Sequence, residues 1–163
     1  MKTQIASATR IINAQRQHVY KLIADYRTSH FRFLPKKHFL SAEVEAGGFG
    51  EGTIVRFQLR LLGQTRSFRA LVSEPEPGYV LLERDLGSGV RTWFTVSPAD
   101  SRYVSEVCIS TELKNLGAVR GFLARTLLEK VYREELELLA RLAEDHPEPA
   151  QSPAIGLSSR GSL

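Results

Sequence analysis

Cysteine occurs once in the 163 residues, at Cys108, so an internal disulfide is excluded. A lone thiol fits a reducing compartment such as the cytoplasm. Long apolar runs are missing too. None approaches the ~20 residues a membrane-spanning helix needs. The start, Met1-Lys2-Thr3-Gln4, lacks the apolar segment of a secretory signal. The expectation is a cytoplasmic protein without stable membrane insertion. Charge of one sign is not concentrated either: 22 Lys and Arg stand against 18 Asp and Glu, giving +4 spread along the chain. No nucleic-acid partner is expected from so diffuse an excess. The four histidines, His18, His30, His38 and His146, show no ligand spacing, so no metal is expected. No nucleophile elbow is present, and no cofactor is expected. Gly47-Gly48-Phe49-Gly50-Glu51-Gly52 has glycines two apart, but it leads into a strand. A phosphate cradle needs a helix N-terminus behind it, so this stretch reads as a flexible turn.

What the chain does have is one long amphipathic segment, Leu116 to Glu144. Its apolar residues recur at Ala124, Leu128, Val131, Leu138 and Leu142, with Leu127 and Leu139 alongside, which is helical spacing. A helix of about 28 residues would be roughly 42 Å long. A helix of that length with one apolar stripe needs a large surface to lie on. Glu135 interrupts the stripe between Val131 and Leu138. Asn115 is placed to cap the helix N-terminus.

The rest reads in order as a strand over 3–12, a helix over 15–26 capped by Asn13, and a short helical turn, His30 to Leu34, stopped before Pro35. Strands follow. Strand 53–62 alternates Val55, Phe57, Leu59 and Leu61 with Arg56, Gln58 and Arg60. A Gly63-Gln64 hairpin loop pairs Leu61 with Arg66, Leu59 with Phe68, Phe57 with Ala70 and Val55 with Val72, so the apolar faces meet. Arg66 then faces inward. Pro75 to Gly78 is a turn. A three-residue loop, Gly87-Ser88-Gly89, pairs Leu82 with Phe94, Val80 with Val96 and Arg84 with Thr92. Glu83 and Asp85 then point outward beside Trp93 and Arg91. A loop one residue longer would flip this alignment. In strand 103–113, Val107, Ile109 and Leu113 share the apolar face, and Cys108 the other. Residues 146–163 are rich in Pro, Ser and Gly without periodicity and are expected to be a disordered tail, leaving 1–145 as one domain.

Ile12-Asn13-Ala14, Val19-Tyr20, Asp25, Pro35, the glycine-rich stretch before Thr53-Ile54-Val55, Pro77-Gly78 before a strand, and the closing helix carry a resemblance. Over residues 3–144 the chain resembles the START-like, or SRPBCC, superfamily, most closely its polyketide cyclase/dehydrase and lipid-transport branch. The resemblance implies an α+β helix-grip fold. In that fold, a curved antiparallel sheet of six to seven strands wraps a long C-terminal helix, two short helices follow the first strand, and a cavity for an apolar ligand is enclosed. Members include hydrophobic-ligand carriers, coenzyme-Q-binding proteins and aromatase/cyclases.

Candidate cavity residues follow from the registers and the stripe. Phe57, Leu59, Phe68, Leu82 and Phe94 face inward from the strands. Gly121 and Leu128 lie on the helix face, where Gly117 and Gly121 leave space. Arg84 and Arg66 are the two inward arginines, placed to reach Glu135 or to orient a polar ligand head, because a buried carboxylate must be paired or neutralised. Alternatively, Glu135 lies near an open edge and reaches water. Tyr26, His30 and Tyr132 are further wall candidates. Three functions fit. The first is binding of a hydrophobic small molecule (lipid, quinone or aromatic polyketide-like). The second is a polyketide cyclase/dehydratase-type enzyme using Glu135, Arg84, Tyr132 and His30 as acid/base groups. The third is an interaction module, a homodimer formed through a patch around Trp93.

Overall fold

The computed structural model describes residues 3–114 and 116–147. The expected tail therefore lies outside the described residues apart from His146 and Pro147, and Asn115 lies outside them as well. Ten elements follow one another: β1 (Gln4–Ile12), α1 (Arg16–Ala24), a 3-10 turn (His30–Arg32), β2 (Phe39–Ala46), β3 (Ile54–Leu61), β4 (Gln64–Glu76), β5 (Val80–Asp85), β6 (Arg91–Pro98), β7 (Ser105–Leu113) and α2 (Ala118–Asp145). The seven strands form one antiparallel sheet in the order β1-β7-β6-β5-β4-β3-β2. Alternating side chains give each strand one buried face; in β7 the buried positions are Ser105, Val107, Ile109, Thr111 and Leu113. Long helix α2 lies across the concave face. Its 28 residues pack chiefly on β1, with lighter contacts to α1, β7 and the 3-10 turn. No described helix is long and apolar enough to cross a membrane.

The helix ends differ from expectation. The residue preceding α1 is Gln15 and the one preceding α2 is Gly117, and neither makes a side-chain cap. Asn13 instead donates its backbone N–H to the Glu144 carboxylate at 2.9 Å, tying the end of β1 to the end of α2. The glycine-rich stretch after β2 is tied down rather than loose. Tyr26 N–H donates to the Gly48 carbonyl at 3.0 Å, and Gly50 N–H to the Ala24 carbonyl at 2.9 Å. Positive φ at Gly47, Gly48, Gly50 and Gly52 lets the chain fold back onto the end of α1. Strand β4 also runs through Pro75 to Glu76, with an irregular register after Ser73.

Both hairpin registers slide. In the first, Leu61 pairs with Gln64, Leu59 with Arg66, Phe57 with Phe68 and Val55 with Ala70. The turn residues are Leu62 and Gly63, both at positive φ (51° and 73°), the signature of a type I′ turn whose twist matches the flanking strands. The slide is two residues, so every side chain keeps its expected face. Leucine is strained at positive φ. Leu62→Asn, which creates the preferred Asn-Gly turn, should raise stability by about 0.5–1 kcal/mol in denaturant melts. Unchanged or lower stability would count against the turn assignment.

The second hairpin slides by one residue. Leu81 pairs with Phe94, Leu82 with Trp93, Glu83 with Thr92 and Arg84 with Arg91. Asp85 N–H donates to the Val90 carbonyl at 2.8 Å, so the loop is the four residues Leu86 to Gly89. Asp85 holds this loop by accepting from Ser88 N–H at 2.7 Å and from the Ser88 hydroxyl at 2.6 Å. The expected Asp85–Arg91 pair is replaced by these bonds. A one-residue slip exchanges the faces: Glu83 turns inward, while Leu82 and Arg84 turn outward beside Trp93 and Arg91.

Candidate functional site

Helix α2 touches the sheet at β1 and β7 but stands off from β3, β4 and β5. The gap is a cavity of about 720 Å³. Its sheet wall carries Phe57, Leu59 and Leu61 from β3, and Phe68 and Ala70 from β4. Strands β6 and β7 contribute Phe94, Thr92 and Thr111. Its helix wall carries Ala124, Leu127, Leu128, Val131, Tyr132 and Glu135. The mouth lies between the β3–β4 tip, the β5–β6 loop and the start of α2, where Leu62 is 75 % exposed and Leu123 51 %. The deep end is closed by the 3-10 turn, where His30 is 1 % exposed and Glu135 on the opposing helix 2 %.

The apolar stripe of α2 thus does two jobs. From Ala124 to Glu135 it borders the cavity. Beyond it, Leu136, Leu139, Ala140, Leu142 and Ala143 are buried in the main core. Glu135 stands at the change between the two.

Of the sequence candidates, Glu135, Arg66, Tyr132, His30, Phe57, Leu59, Phe68, Phe94 and Leu128 line the cavity. Four do not. Arg84 and Leu82 face outward because of the one-residue slip in the β5–β6 register. Gly121 is turned to β1, where an added side chain would run into the Gln4 amide. Gly117 precedes the helix in open space, so the helical glycines are not what leaves the gap. Tyr26 is fully buried behind His30, its ring stacked on the imidazole at 4.1 Å. Arg66 is exposed at the mouth. Neither arginine forms an ion pair with Glu135 among the described residues, and the open-edge alternative for Glu135 is corrected by its burial.

The residue missed by the pattern is Glu83, which takes the inward place expected for Arg84. Tyr26 donates its hydroxyl to Glu83 Oε1 at 2.5 Å. His30 Nε2 stands 3.6 Å from the same oxygen. The other imidazole nitrogen, Nδ1, lies 2.6 Å from the Ile23 carbonyl. A carbonyl only accepts, so Nδ1 carries the hydrogen and Nε2 presents a bare lone pair toward Glu83. Burial pushes the His30 pKa down to about 4, leaving the ring neutral. Burial pushes Glu83 up to about 7. Glu135 is pushed well above the usual carboxylate range, first by burial and then by the negative charge of Glu83. Tyr26 is pushed up as well, by burial and then by Glu83. Across the cavity floor, the Tyr132 hydroxyl meets Thr111 Oγ1 at 2.5 Å, which meets Thr92 Oγ1 at 2.7 Å. That chain satisfies three hydroxyls and pins α2 to β6 and β7. Among the described residues, no three His, Cys, Asp or Glu side chains converge as a metal site requires.

An open antiparallel sheet curved around a C-terminal helix, with a hollow between them, defines the helix-grip class. The chain belongs to the family described as polyketide cyclase / dehydrase and lipid transport, which it matches over residues 3–144, and so to the START-like superfamily. The solved structure of KanY protein is 30% identical, with a TM-score of 0.78 over 88% of this chain and 99% of that one. A START superfamily protein from Mycobacterium smegmatis is 13% identical, with a TM-score of 0.70 over 86% of this chain and 97% of that one. The Zhui aromatase/cyclase from Streptomyces sp. R1128 is 13% identical, with a TM-score of 0.69 over 88% of this chain and 94% of that one. The latter two likenesses concern the fold. No curated protein matches the chain significantly.

Proposed function

We propose that the protein binds a hydrophobic small molecule, a lipid, quinone or aromatic polyketide-like compound, between the sheet and α2. The carrying observation is the cavity of about 720 Å³, walled largely by aromatic and aliphatic side chains, with polar groups gathered at its deep end and its mouth. Ligand sites have this size and make-up: apolar area supplies affinity, and a few fixed polar groups supply orientation. Family membership supports the same reading. A titration with N-phenyl-1-naphthylamine, a neutral dye that brightens in apolar surroundings, tests it. Saturable brightening is expected in the parent. Ala124→Trp, which fills the hollow from the helix side, should abolish it. Brightening that persists undiminished in Ala124→Trp would place the dye elsewhere and remove the support.

A second reading, a cyclase/dehydratase-type enzyme, draws on a specific observation: Glu83 and His30 stand 3.6 Å apart on the wall of a cavity that Glu135 also lines. Glu83 titrating at about 7 is suited to accept or donate a proton near neutrality. Under this reading the acid/base groups would be Glu83 and Glu135 with His30 and Tyr132, and not Arg84. Turnover of a poly-β-keto thioester mimic by the parent, lost in Glu83→Gln, would favour it over simple binding.

A further inference from the structure

The deep end of the cavity has an imbalance of hydrogen-bonding groups. Three acceptors from three elements line it there: Glu83 on β5 and the bare Nε2 of His30, 3.6 Å apart, and Glu135 on α2, which feels the charge of Glu83. Apart from the carboxyls' own protons, the donor supplied to them is the Tyr26 hydroxyl, which goes to Glu83. The nearby hydroxyls of Tyr132, Thr111 and Thr92 are engaged with one another. No hydrogen bond or ion pair to Glu135 is found among the described residues. The cations lining the cavity, Arg66, Lys114 and Arg120, all stand exposed at the mouth. Lys114 there is paired with Glu112 at 3.4 Å. Asp85, the remaining acid on the lining, is held by its own loop.

We infer that the natural ligand is an apolar molecule ending in a protonated amine, seated with its cationic head between Glu83 and Glu135. This rests on the cavity being a binding site and names the class of molecule it takes. Two carboxyls that share an apolar hollow ionise only at a cost, from poor hydration and, once both are charged, from mutual repulsion. An ammonium group relieves both penalties, because its N–H donors take the place of the carboxyl protons and its charge balances the ionised carboxyls. Above about pH 7, where Glu83 ionises, a carboxylate head meets like charge instead. A neutral hydroxyl supplies one donor and, in the same pH range, leaves the ionised Glu83 without a counter-charge. In the empty site the carboxyls hold protons in place of a cation, since both titrate above their usual range. Seating the amine expels those protons, so affinity for it rises with pH from 6 to 8. The groups facing the pair are those named: His30, held neutral, and the Tyr26 and Tyr132 phenols, which stay protonated across that range.

Calorimetric titration of the full chain with three molecules of one skeleton tests this: 2-(2-naphthyl)ethylamine, 2-(2-naphthyl)ethanol and 2-naphthylacetate. At pH 7.5 the amine should bind at least about tenfold more tightly than the alcohol, and the acetate most weakly. Titration in two buffers of different ionisation enthalpy should reveal proton release for the amine alone. Glu135→Gln and Glu83→Gln should each cost the amine about tenfold and leave the alcohol within about twofold. Because the alcohol serves as a control for folding and for the hollow itself, a misfolded variant is recognised by loss of both. If the alcohol binds as tightly as the amine, or the amine releases no protons, the cationic head is wrong while the binding reading stands. If none of the three binds, both fail.

Discussion

At pH 8, Glu83→Gln should be more stable than the parent by about 3 kcal/mol, and at pH 4.5 the advantage should vanish. The size follows from a carboxyl carried from its ordinary 4.5 to about 7 by burial, at about 1.4 kcal/mol per pH unit. The sign follows from the direction. A folded pKa above the unfolded one means the folded state holds its proton longer. Its stabilising share is complete below 4.5 and is lost as pH climbs through 7. Gln cannot ionise, so the variant escapes the loss. Its side-chain carbonyl can still accept from Tyr26. In a domain of this size the gain corresponds to roughly 6–12 °C in Tm. Glu135 acts in the same direction. His30 opposes them: its folded pKa of about 4 lies below its ordinary 6.5, so its share is lost as pH falls between those values. The two slopes of Glu83 and His30 nearly cancel between pH 4.5 and 6.5. The parent should therefore lose stability most steeply just above 6.5. Melts of parent and variant across pH 4.5 to 8.5 check this. A Glu83→Gln protein no more stable than the parent at pH 8 would mean the carboxyl is well solvated.

A pair of leucines four turns or less apart on α2 should behave very differently when shortened. Leu139 is fully buried in the main core. Leu139→Ala leaves an enclosed void and should cost about 2–5 kcal/mol. Leu128 borders the hollow and is half-buried. Shortening it enlarges a space that already exists, so only the transfer of its methyl groups is lost, about 1 kcal/mol. Chemical denaturation of both variants reads the difference. Equal costs would show an interior filled at both places, and the hollow would be refuted together with the function built on it.

The long helix was legible to within two residues at its start and one at its end, expected from Leu116 to Glu144 and found from Ala118 to Asp145. Its stripe repeats over many turns, and such a signal survives local exceptions. The strands were legible for the same reason at period two. Their partners were not. A slide of two residues in the β3–β4 hairpin cost nothing, because side-chain direction repeats every second residue. A slide of one in the β5–β6 hairpin exchanged Arg84 for Glu83 at the centre of the site. The signal for the longer loop was Asp85 followed three residues later by Ser88, with Gly89 at positive φ: an aspartate opening a turn and bonding the backbone ahead of it. Grouping apolar residues by pattern outweighed that turn chemistry and gave the wrong face. The division of α2 into a core half and a cavity half was not legible at all. An apolar stripe reports that a face avoids water, and Leu128 and Leu139 look alike in sequence whether the opposite wall touches them or stands away.

Strand β1 pairs with β7 and lies beneath α2, with Asn13 bonded to Glu144. The first nine-residue strand therefore has no neighbour in the sheet until the chain beyond residue 105 has been made. Joining the two closes a loop of about a hundred residues, an entropic cost met before any contact is gained. The N-terminal strand must wait, unpaired, until β7 has been synthesised about a hundred residues later. A ribosome stalled before α2 would hold an open sheet edge and an uncovered apolar face, a form prone to associate with other chains.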